Sequence, residues 1–515
     1  QGVELAPGPK ELMNMQRFYL YLNMTKPGEK LLLSYSDTNA KGEGISPAYL
    51  IGSIRSLYPK LEIEGGAGAG VRPHKNSINN YYYPENPEAG IDLFLEKLAQ
   101  ETEKNHEDIL EQADETDAVF GELYSWYLRN PEYRNRVQKL VQSAFAGKPK
   151  DIISQSVAKA LYGEVSSYSA TRLERFAACA FAHFLQYGMK LTERVEYEFK
   201  PMDMGNVMHG ALESFAEEVR KRGMKWTELT EQERNEIADR CLDNIVADYG
   251  NTVLKSSARN EYMIERTRRI LRRTVWALQK QLEQGEFQPE GFEVTFGGGR
   301  IDRVDIMEDQ NKVYVKVIDY KTGNTSFDLV YLYHGLQLQL MIYLDGALRV
   351  EQKKYPDKEI IPAGVFYYNI KDPMIQEKID ADVEAVSAGL MKELKMNGLV
   401  QADPELVYRM DSSLGSIPVA FNKDGSFRKN SSVADRTQFA VLGRYVRTKI
   451  EKIRSSILEG DAEVSPYELG KKNACTYCPY MTVCGFDRRL SGYEFRRLKN
   501  FSDEELWKAF DREAE

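Results

Sequence analysis

Apolar residues recur at intervals of three to four over several stretches of the chain, which is the spacing of an amphipathic helix. The spacing holds from about residue 90 to 161, resumes after Ser169, and returns from about 205 to 222. Ser169 is a suitable helix cap because its hydroxyl can accept a backbone N–H of the first turn. The opening stretches at 17–22 and 30–36 fit either two strands or a helix followed by a strand.

Between residues 291 and 321 the apolar spacing becomes that of β-structure. Glycines and a polar turn at 308–311 divide this stretch, which predicts three neighbouring strands. A segment rich in Gln and Leu at 334–348 predicts a helix, and the apolar run at 363–368 predicts a further strand.

Length and composition are those of a soluble globular protein with several domains, because the chain has 515 residues of which 42% are hydrophobic and 29% charged. No run approaches the roughly 20 apolar residues of a membrane span, so we expect no membrane partner. The glycine-rich stretch at 65–70 lacks the ending of a phosphate-binding loop and is interpreted as a linker. Because the chain begins with Gln1 and shows no leader, we expect a fragment or a processed form.

The formal net charge of −9 argues weakly against a nucleic-acid partner, since DNA binding depends on cationic side chains. Two helical stretches are nevertheless strongly basic. Their cationic residues are Arg266, Arg268, Arg269, Arg272 and Arg273 in the first stretch, and Arg444, Arg447, Lys449, Lys452 and Arg454 in the second. We interpret each cluster on its own as a solvated helix face.

The strongest chemical signal is the pair Asp319 and Lys321 at the end of a predicted strand. Residues two apart on a strand share a face, so the carboxylate and the ammonium group project into the same space. The preceding strand can bring Asp302, or alternatively Asp305, alongside them. Carboxylate oxygens suit Mg²⁺ or Mn²⁺, and such a site can hydrolyse phosphodiesters while the lysine orients the nucleophile or neutralises charge. An isolated pair of this kind would more often face solvent.

The order of polar residues around this pair resembles the PD-(D/E)XK nuclease superfamily and, within it, the RecB-like group. The residues that carry the resemblance are His209, Glu293, Asp302, Asp319, Lys321, Gln339 and Tyr343. The resemblance implies an α/β fold with a mixed central sheet flanked by helices. It implies metal binding by His209, Glu293, Asp302 and Asp319. It also implies catalysis by Asp302, Asp319 and Lys321, assisted by Gln339 and Tyr343, which would help to place DNA.

Without that order of motifs, the residues that lie on helices would be interpreted as structural. A lone histidine such as His209 is more often structural than metal-binding. Gln339 and Tyr343, one turn apart, would be part of a packing face.

Three cysteines near the end of the chain, Cys475, Cys478 and Cys484, form a compact group of thiols that needs a fourth ligand. Only Cys179 and Cys241 are available for that role in this sequence. Soft thiolates bind zinc and iron–sulfur clusters alike, so the ligand type alone leaves both open.

The surroundings of these cysteines resemble the iron–sulfur staple of the AddB family, whose members belong to bacterial AddAB helicase–nucleases. The resemblance lies in LERFAACAFAHFL, which contains Cys179, and in CTYCPYMTVC at 475–484. It implies that Cys179, Cys475, Cys478 and Cys484 hold a four-iron four-sulfur cluster that closes the nuclease fold, and that Cys241 is a packed thiol. Ala180 stands where the family more commonly has proline.

The front of the chain resembles the last helicase motif of UvrD-like enzymes, in which an arginine that reaches the nucleotide follows a threonine. Here Lys26 follows Thr25, and lysine lacks the planar bidentate fork of arginine. The resemblance implies a degenerate helicase-like segment without ATPase or helicase activity at 1–65. For the rest of the chain we expect a linker and helical subdomain at 66–165, the nuclease domain with its staple at 166–495, and a helical tail at 496–515.

Together these resemblances imply a magnesium-dependent DNA exonuclease subunit of a cytoplasmic helicase–nuclease complex that processes double-strand ends for recombinational repair. The implied partners are duplex ends, single strands and an AddA-type helicase–nuclease subunit in a heterodimer. Two alternatives stay open: a stand-alone iron–sulfur nuclease, and a cluster-stapled DNA-binding scaffold with a silent site.

Overall fold

The computed structural model describes residues 8–36, 45–61, parts of 87–98, 115–144, 152–163, 169–192, 201–248, 257–297, 299–375, 382–488 and 492–514. The chain divides into two compact units, Gln1–Leu95 and Glu96–Glu515. The glycine-rich stretch interpreted as a linker lies outside the described residues. No helix in the described part of the chain is both long and apolar enough to cross a membrane.

The described residues of the first unit include the helices α1 (Pro9–Thr25) and α2 (Tyr49–Leu57), and the residues described between 87 and 95 are also helical. Pro9 suits the first helical position because its fixed φ matches the helix and its missing N–H has no helical partner there. The helix predicted as one reading of 17–22 is therefore present. The strand predicted at 30–36 is wrong, since 31–36 have no regular secondary structure. Alternating apolar residues form a strand only where another strand takes up their backbone hydrogen bonds.

The second unit begins with helices that precede the sheet. They are α3 (Glu115–Arg129), α4 (Pro131–Ala144), α5 (Gln155–Tyr162), α6 (Ala170–Ala178), α7 (Ala180–His183), α8 (Pro201–Lys221), α9 (Glu231–Asp248) and α10 (Ala258–Glu283). As predicted, Ser169 caps α6, and its hydroxyl accepts the N–H of Arg172. The helix predicted at 205–222 is confirmed as α8.

A six-stranded mixed sheet forms the centre of this unit, in the order β1-β2-β3-β4-β5-β6. Its strands are β1 (Gln288–Phe296), β2 (Gly299–Asp309), β3 (Lys312–Lys321), β4 (Glu359–Asn369), β5 (Asn397–Gln401) and β6 (Val433–Ala434). The pairs β3–β4 and β5–β6 are parallel, and the other neighbours are antiparallel. The three strands predicted within 291–321 and the strand predicted at 363–368 are therefore confirmed.

Seven further helices lie within or after the sheet in the described residues. They are α11 (Leu329–Tyr333), α12 (Gln339–Lys354), α13 (Val383–Glu393), α14 (Pro404–Met410), α15 (Arg436–Glu459), α16 (Met481–Cys484) and α17 (Asp503–Ala514). The helix predicted from residue 334 starts five residues later, because Gly335 has φ of +77° and follows the end of α11. A second, small sheet has the order β8-β7-β9, made of β7 (Tyr467–Leu469), β8 (Lys472–Asn473) and β9 (Arg496–Arg497).

Helices cover both faces of the central sheet, and each face has its own hydrophobic core. On one face Ile318 and Tyr320 of β3 pack in a core that includes residues of α8, α9 and α10. On the other face Val315 and Val317 share a core with residues of α6, α12, α15 and α17. The predicted class, a mixed sheet flanked by helices, is confirmed, and the alternation along β3 assigns each side chain to one of two faces.

Candidate active site

The end of β3 and the start of α12 are joined by a closed set of polar contacts, made of three hydrogen bonds and one ion pair. Lys321 Nζ lies 2.5 Å from Asp319 Oδ2 and donates to Gln339 Oε1 at 2.7 Å. The Gln339 amide in turn donates to Asp319 Oδ1 at 2.8 Å and to the Tyr343 hydroxyl at 3.0 Å. Gln339 and Tyr343 meet because they are one helical turn apart. These four side chains, predicted as catalytic, are brought together by the fold.

A second group of side chains has the spacing of a metal site. Donor atoms of His209, Glu293 and Asp302 all lie within 4.8 Å of one another. His209 Nδ1 is 3.4 Å from Asp302 Oδ2 and 4.0 Å from Glu293 Oε1. With Asp319, whose carboxylate is held by Lys321 and Gln339, these residues are called the carboxylate site below. We include Asp319 in the carboxylate site because the negative charges of its carboxylate and of the Asp302 carboxylate repel each other.

The histidine of the carboxylate site has the tautomer that a metal ligand needs. His209 Nε2 lies 3.1 Å from the carbonyl oxygen of Tyr320. A carbonyl can only accept, so Nε2 carries a proton, and Nδ1, which faces the carboxylates, is the nitrogen that can bind a metal once its own proton has left. Histidine ligands in metal sites are commonly fixed in this way, by a backbone carbonyl on the other ring nitrogen.

The two acidic ligands on β1 and β2 are placed by different local structures. Asp302 is buried, and its Oδ2 accepts the backbone N–H of Tyr320 at 2.7 Å, which fixes it across the β2–β3 pair. Glu293 has φ of +49°, where side chains other than glycine are uncommon, and it follows the register shift that the β1–β2 pair has between Pro289 and Gly291. Arg300 forms an ion pair with the other oxygen of Glu293.

The pKa values show that the carboxylate site holds more negative charge than its burial favours. Burial and the charge of Asp302 raise the pKa of Asp319 to about 7 and that of Glu293 to about 7. Burial lowers the pKa of His209, but the hydrogen bond to Asp302 and the neighbouring carboxylates outweigh it and raise the pKa. Protons or a divalent cation would relieve this repulsion. A nitrogen and several carboxylate oxygens at this spacing fit a divalent ion.

Asp305, the alternative to Asp302, lies in a different environment. Its carboxylate is fully buried and pairs with Arg303 at 2.5 Å and with Lys316 at 3.0 Å. Those two cations hold the pKa of Asp305 below its usual range despite burial. Asp305 is therefore part of a buried ion network, and Asp302 is the aspartate of β2 at the site.

Glu174 is a residue near the site that the sequence did not single out. Its Oε1 accepts the backbone N–H groups of Leu338 at 2.7 Å and Gln339 at 3.0 Å. Its electrostatic neighbours include Lys321 and Asp319. No periodicity or spacing marks it, because its partners are 164 and 165 positions away.

Four of the five cysteines line one hollow, which we call the cysteine nest: Cys179, Cys475, Cys478 and Cys484. Burial and the other three thiols raise the pKa of Cys475 to about 12. Among the described residues, His209, Glu293 and Asp302 are the only group of three such residues whose donor atoms all lie within 4.8 Å of one another, so no three nest sulfurs are that close together. Cys241 is buried in the core beside α8 and does not line the nest.

The two basic helical stretches make ion pairs within the protein. On α10, Arg268 contacts Asp243 at 2.7 Å, and Arg272 pairs with Asp239. On α15, Arg447 contacts Asp345 at 2.9 Å. These contacts are those of solvated helix faces with neighbouring acidic helices.

The strand-borne aspartates, the lysine two residues on, and the helices on both faces define a nuclease fold of the PD-(D/E)XK type. The chain matches the PD-(D/E)XK nuclease superfamily over residues 167–485, which is more than half of its length, and it belongs to that superfamily. Nucleases of this superfamily depend on divalent metal ions.

Similar proteins in several bacteria are named as the B component of an ATP-dependent helicase/deoxyribonuclease. One from Lachnoclostridium phytofermentans is 38% identical over 100% of this chain and 44% of its own length. One from Clostridium acetobutylicum is 31% identical over 100% of this chain and 45% of its own length. One from Thermoanaerobacter pseudethanolicus is 30% identical over 99% of this chain and 45% of its own length. The chain thus spans less than half of the length of these relatives.

Proposed function

We propose that this chain carries the nuclease site of an AddB-type component of a helicase–nuclease and that it hydrolyses phosphodiester bonds of DNA. The observation that carries the proposal is the placement of His209, Glu293 and Asp302 at metal-ligand spacing beside the Asp319–Lys321 pair. The names of the relatives, which specify a deoxyribonuclease, support DNA as the substrate.

Each side chain of the site has a separate task in this proposal. His209, Glu293, Asp302 and Asp319 would hold the divalent ion, Mg²⁺ or Mn²⁺, which supplies an activated water and positive charge beside the scissile phosphate. The ammonium group of Lys321 neutralises negative charge that develops on the phosphate. The Gln339 side-chain amide accepts from that ammonium group and donates to Asp319, which keeps the two charged groups together. Its nitrogen also donates to the Tyr343 hydroxyl.

The partners follow from the relatives' names and from the front of the chain. Those names describe one component of a larger enzyme, and for its counterpart we propose an AddA-type helicase–nuclease that supplies the ATP-driven motor. Lys26 in place of the motif's arginine supports a first unit without ATPase activity. The assembled complex would act in the cytoplasm on duplex ends, degrading strands as an exonuclease for recombinational repair.

We also propose a four-iron four-sulfur cluster in the cysteine nest. The proposal is supported by the four thiols that line one hollow, which match the four ligands of such a cluster. An anaerobic preparation should be brown and contain about four iron atoms per chain. A colourless preparation with one zinc ion would contradict the proposal.

The nuclease proposal is tested with end-labelled linear duplex and single-stranded DNA, incubated with the purified protein and Mg²⁺ or Mn²⁺. Cleavage should require the metal and should be abolished in Asp319→Ala without loss of DNA binding. Asp345→Asn is the matched control, since Asp345 is an acidic residue of α12 that pairs with Arg349 and Arg447 away from the site. Binding without cleavage in the wild type would support the silent scaffold. Cleavage by Asp319→Ala would remove this residue from the mechanism.

A further inference from the structure

Helix α12, which carries Gln339 and Tyr343, has no cap of its own. Its N-cap position is Leu338, whose side chain cannot accept a hydrogen bond, and the residue has helical rather than extended backbone angles. The first N–H groups of a helix have no partner within the helix and need an acceptor when they are buried. The acceptor must therefore come from elsewhere in the chain.

Glu174 of α6 supplies that acceptor. One oxygen of its carboxylate takes the N–H of Leu338 at 2.7 Å and the N–H of Gln339 at 3.0 Å. A negative charge at the N-terminus of a helix is also stabilised by the helix dipole. Glu174 thus accepts two backbone hydrogen bonds and lies where the helix dipole favours its charge. One of the two donors is Gln339, whose side-chain amide joins Asp319 and Lys321.

The buried carboxylate of Glu174 loses solvation that the side chain of an exposed capping residue would keep. Burial raises the pKa of Glu174 to about 7, although the N–H groups of Gln339 and Leu338 and the charge of Lys321 lower it. Other helices of this chain are capped by the side chain of their own N-cap residue. Asp403, for example, caps α14 with one oxygen accepting from Glu405 and Leu406.

We propose that Glu174 is a positioning residue of the nuclease site, fixing the first turn of α12 so that the Gln339 amide stays between Asp319 and Lys321. This inference rests on the proposed nuclease function. Glu174 touches none of the four residues of the carboxylate site by hydrogen bond in the described contacts, so it acts through Gln339. To fix the first turn of α12, residue 174 must offer an acceptor oxygen to the N–H groups of Leu338 and Gln339. It does not need to carry a negative charge.

Three variants test the inference. Glu174→Ala removes the acceptor and should lower kcat about 10- to 100-fold with little change in the KM for DNA, the range seen when a residue that orients a ligand is lost. Glu174→Gln keeps an acceptor oxygen and should restore kcat to within about threefold of the wild type. Asp403→Ala removes the side-chain cap of a different helix, α14, and should cleave like the wild type, even if it lowers the melting temperature as much.

Amide hydrogen exchange gives a readout that does not need cleavage. In Glu174→Ala, exchange should accelerate in a peptide covering 334–343 and stay unchanged in one covering 404–410, with the reverse in Asp403→Ala. If the wild type does not cleave DNA, the nuclease proposal fails while exchange still tests the cap. Wild-type kcat in Glu174→Ala, or a Glu174→Gln variant as impaired as Glu174→Ala, would overturn the positioning role. If Glu174→Ala does not fold, Glu174→Gln decides.

Discussion

The carboxylate site and the cysteine nest both collect residues from distant parts of the chain, but very different amounts of packed structure hold them. The carboxylate site is built on strands of 9, 11 and 10 residues, and most residues of the second and third of these strands, β2 and β3, are buried in the cores on the two faces of the sheet. Around the nest, β7 has three residues, β8 two and α16 four. The hydrophobic cluster beside it contains only Ala182, Leu185 and Tyr480 as buried members.

The carboxylate site and the cysteine nest therefore owe their order to different sources. The sheet holds acidic side chains at metal spacing even though they repel one another, so the ion meets a prepared site. Short elements with a small core bury too little apolar surface to fix a loop by themselves. With the proposed cluster in place, the energy of thiol binding would be folding energy for this part of the chain.

Removing the ammonium group of Lys321 should have the largest effect on the prepared site. Lys321→Ala should lower the cleavage rate about 10²- to 10³-fold, because one charge-stabilising donor beside the phosphate is lost. Divalent binding should persist, since the ligands belong to other residues. The two readouts are single-turnover cleavage and metal titration by calorimetry. A variant that cleaves normally would show that the closed set of polar contacts around Gln339 is structural only.

Breaking the nest should mainly affect stability. Cys478→Ser should lower the free energy of unfolding by about 3 kcal/mol, in the range found for the loss of a covalent link between distant segments. Limited proteolysis should then cut first within 464–488, and metal binding at the carboxylate site should remain. The matched control is Cys241→Ser, which changes a buried thiol outside the nest. Equal proteolysis patterns in the two variants would contradict a separate role for the nest.

The pH dependence of metal stabilisation should be the smallest effect. The folded-state pKa of Asp319 and of Glu293 is about 7, above the ordinary value of about 4. Their stabilising contribution without metal is therefore complete below about pH 4 and is lost as the pH rises through 7. A divalent ion replaces those protons, so its stabilising effect should grow from pH 5 to pH 8, reaching about 2.7 kcal/mol at a hundredfold excess over Kd.

Thermal melting with and without Mg²⁺ at the two pH values measures this effect. The double variant with Glu293→Gln and Asp319→Asn should melt at a temperature that responds little to Mg²⁺ at either pH. A metal-induced shift in melting temperature that is as large at pH 5 as at pH 8 would mean that protons and the ion do not compete at these carboxylates.

Features that depend on alternation along a strand could be predicted from the sequence. The three strands within 291–321 were predictable because glycine and polar turns separate apolar runs there. The same alternation predicts that Asp319 and Lys321 share a face, and in the structure they lie 2.5 Å apart. The predicted domain boundaries and the predicted iron–sulfur cluster stay predictions.

Features that depend on contacts between distant segments could not be predicted. Glu174 and α12 are far apart in sequence, and no local rule pairs them. The choice between Asp302 and Asp305 was open for the same reason. Asp305 pairs with the buried cations Arg303 and Lys316, and those contacts are known only from the fold. The strand expected at 30–36 shows the converse error, a local pattern without a pairing partner.

Direct measurement of divalent binding at the carboxylate site tests the central claim. Titration of the purified protein with Mn²⁺, followed by calorimetry and by the paramagnetic resonance of free Mn²⁺, should reveal a bound ion whose affinity falls at least tenfold in Asp302→Asn and in His209→Ala. Asp345→Asn should bind like the wild type. Unchanged Mn²⁺ affinity in both ligand variants would contradict the account.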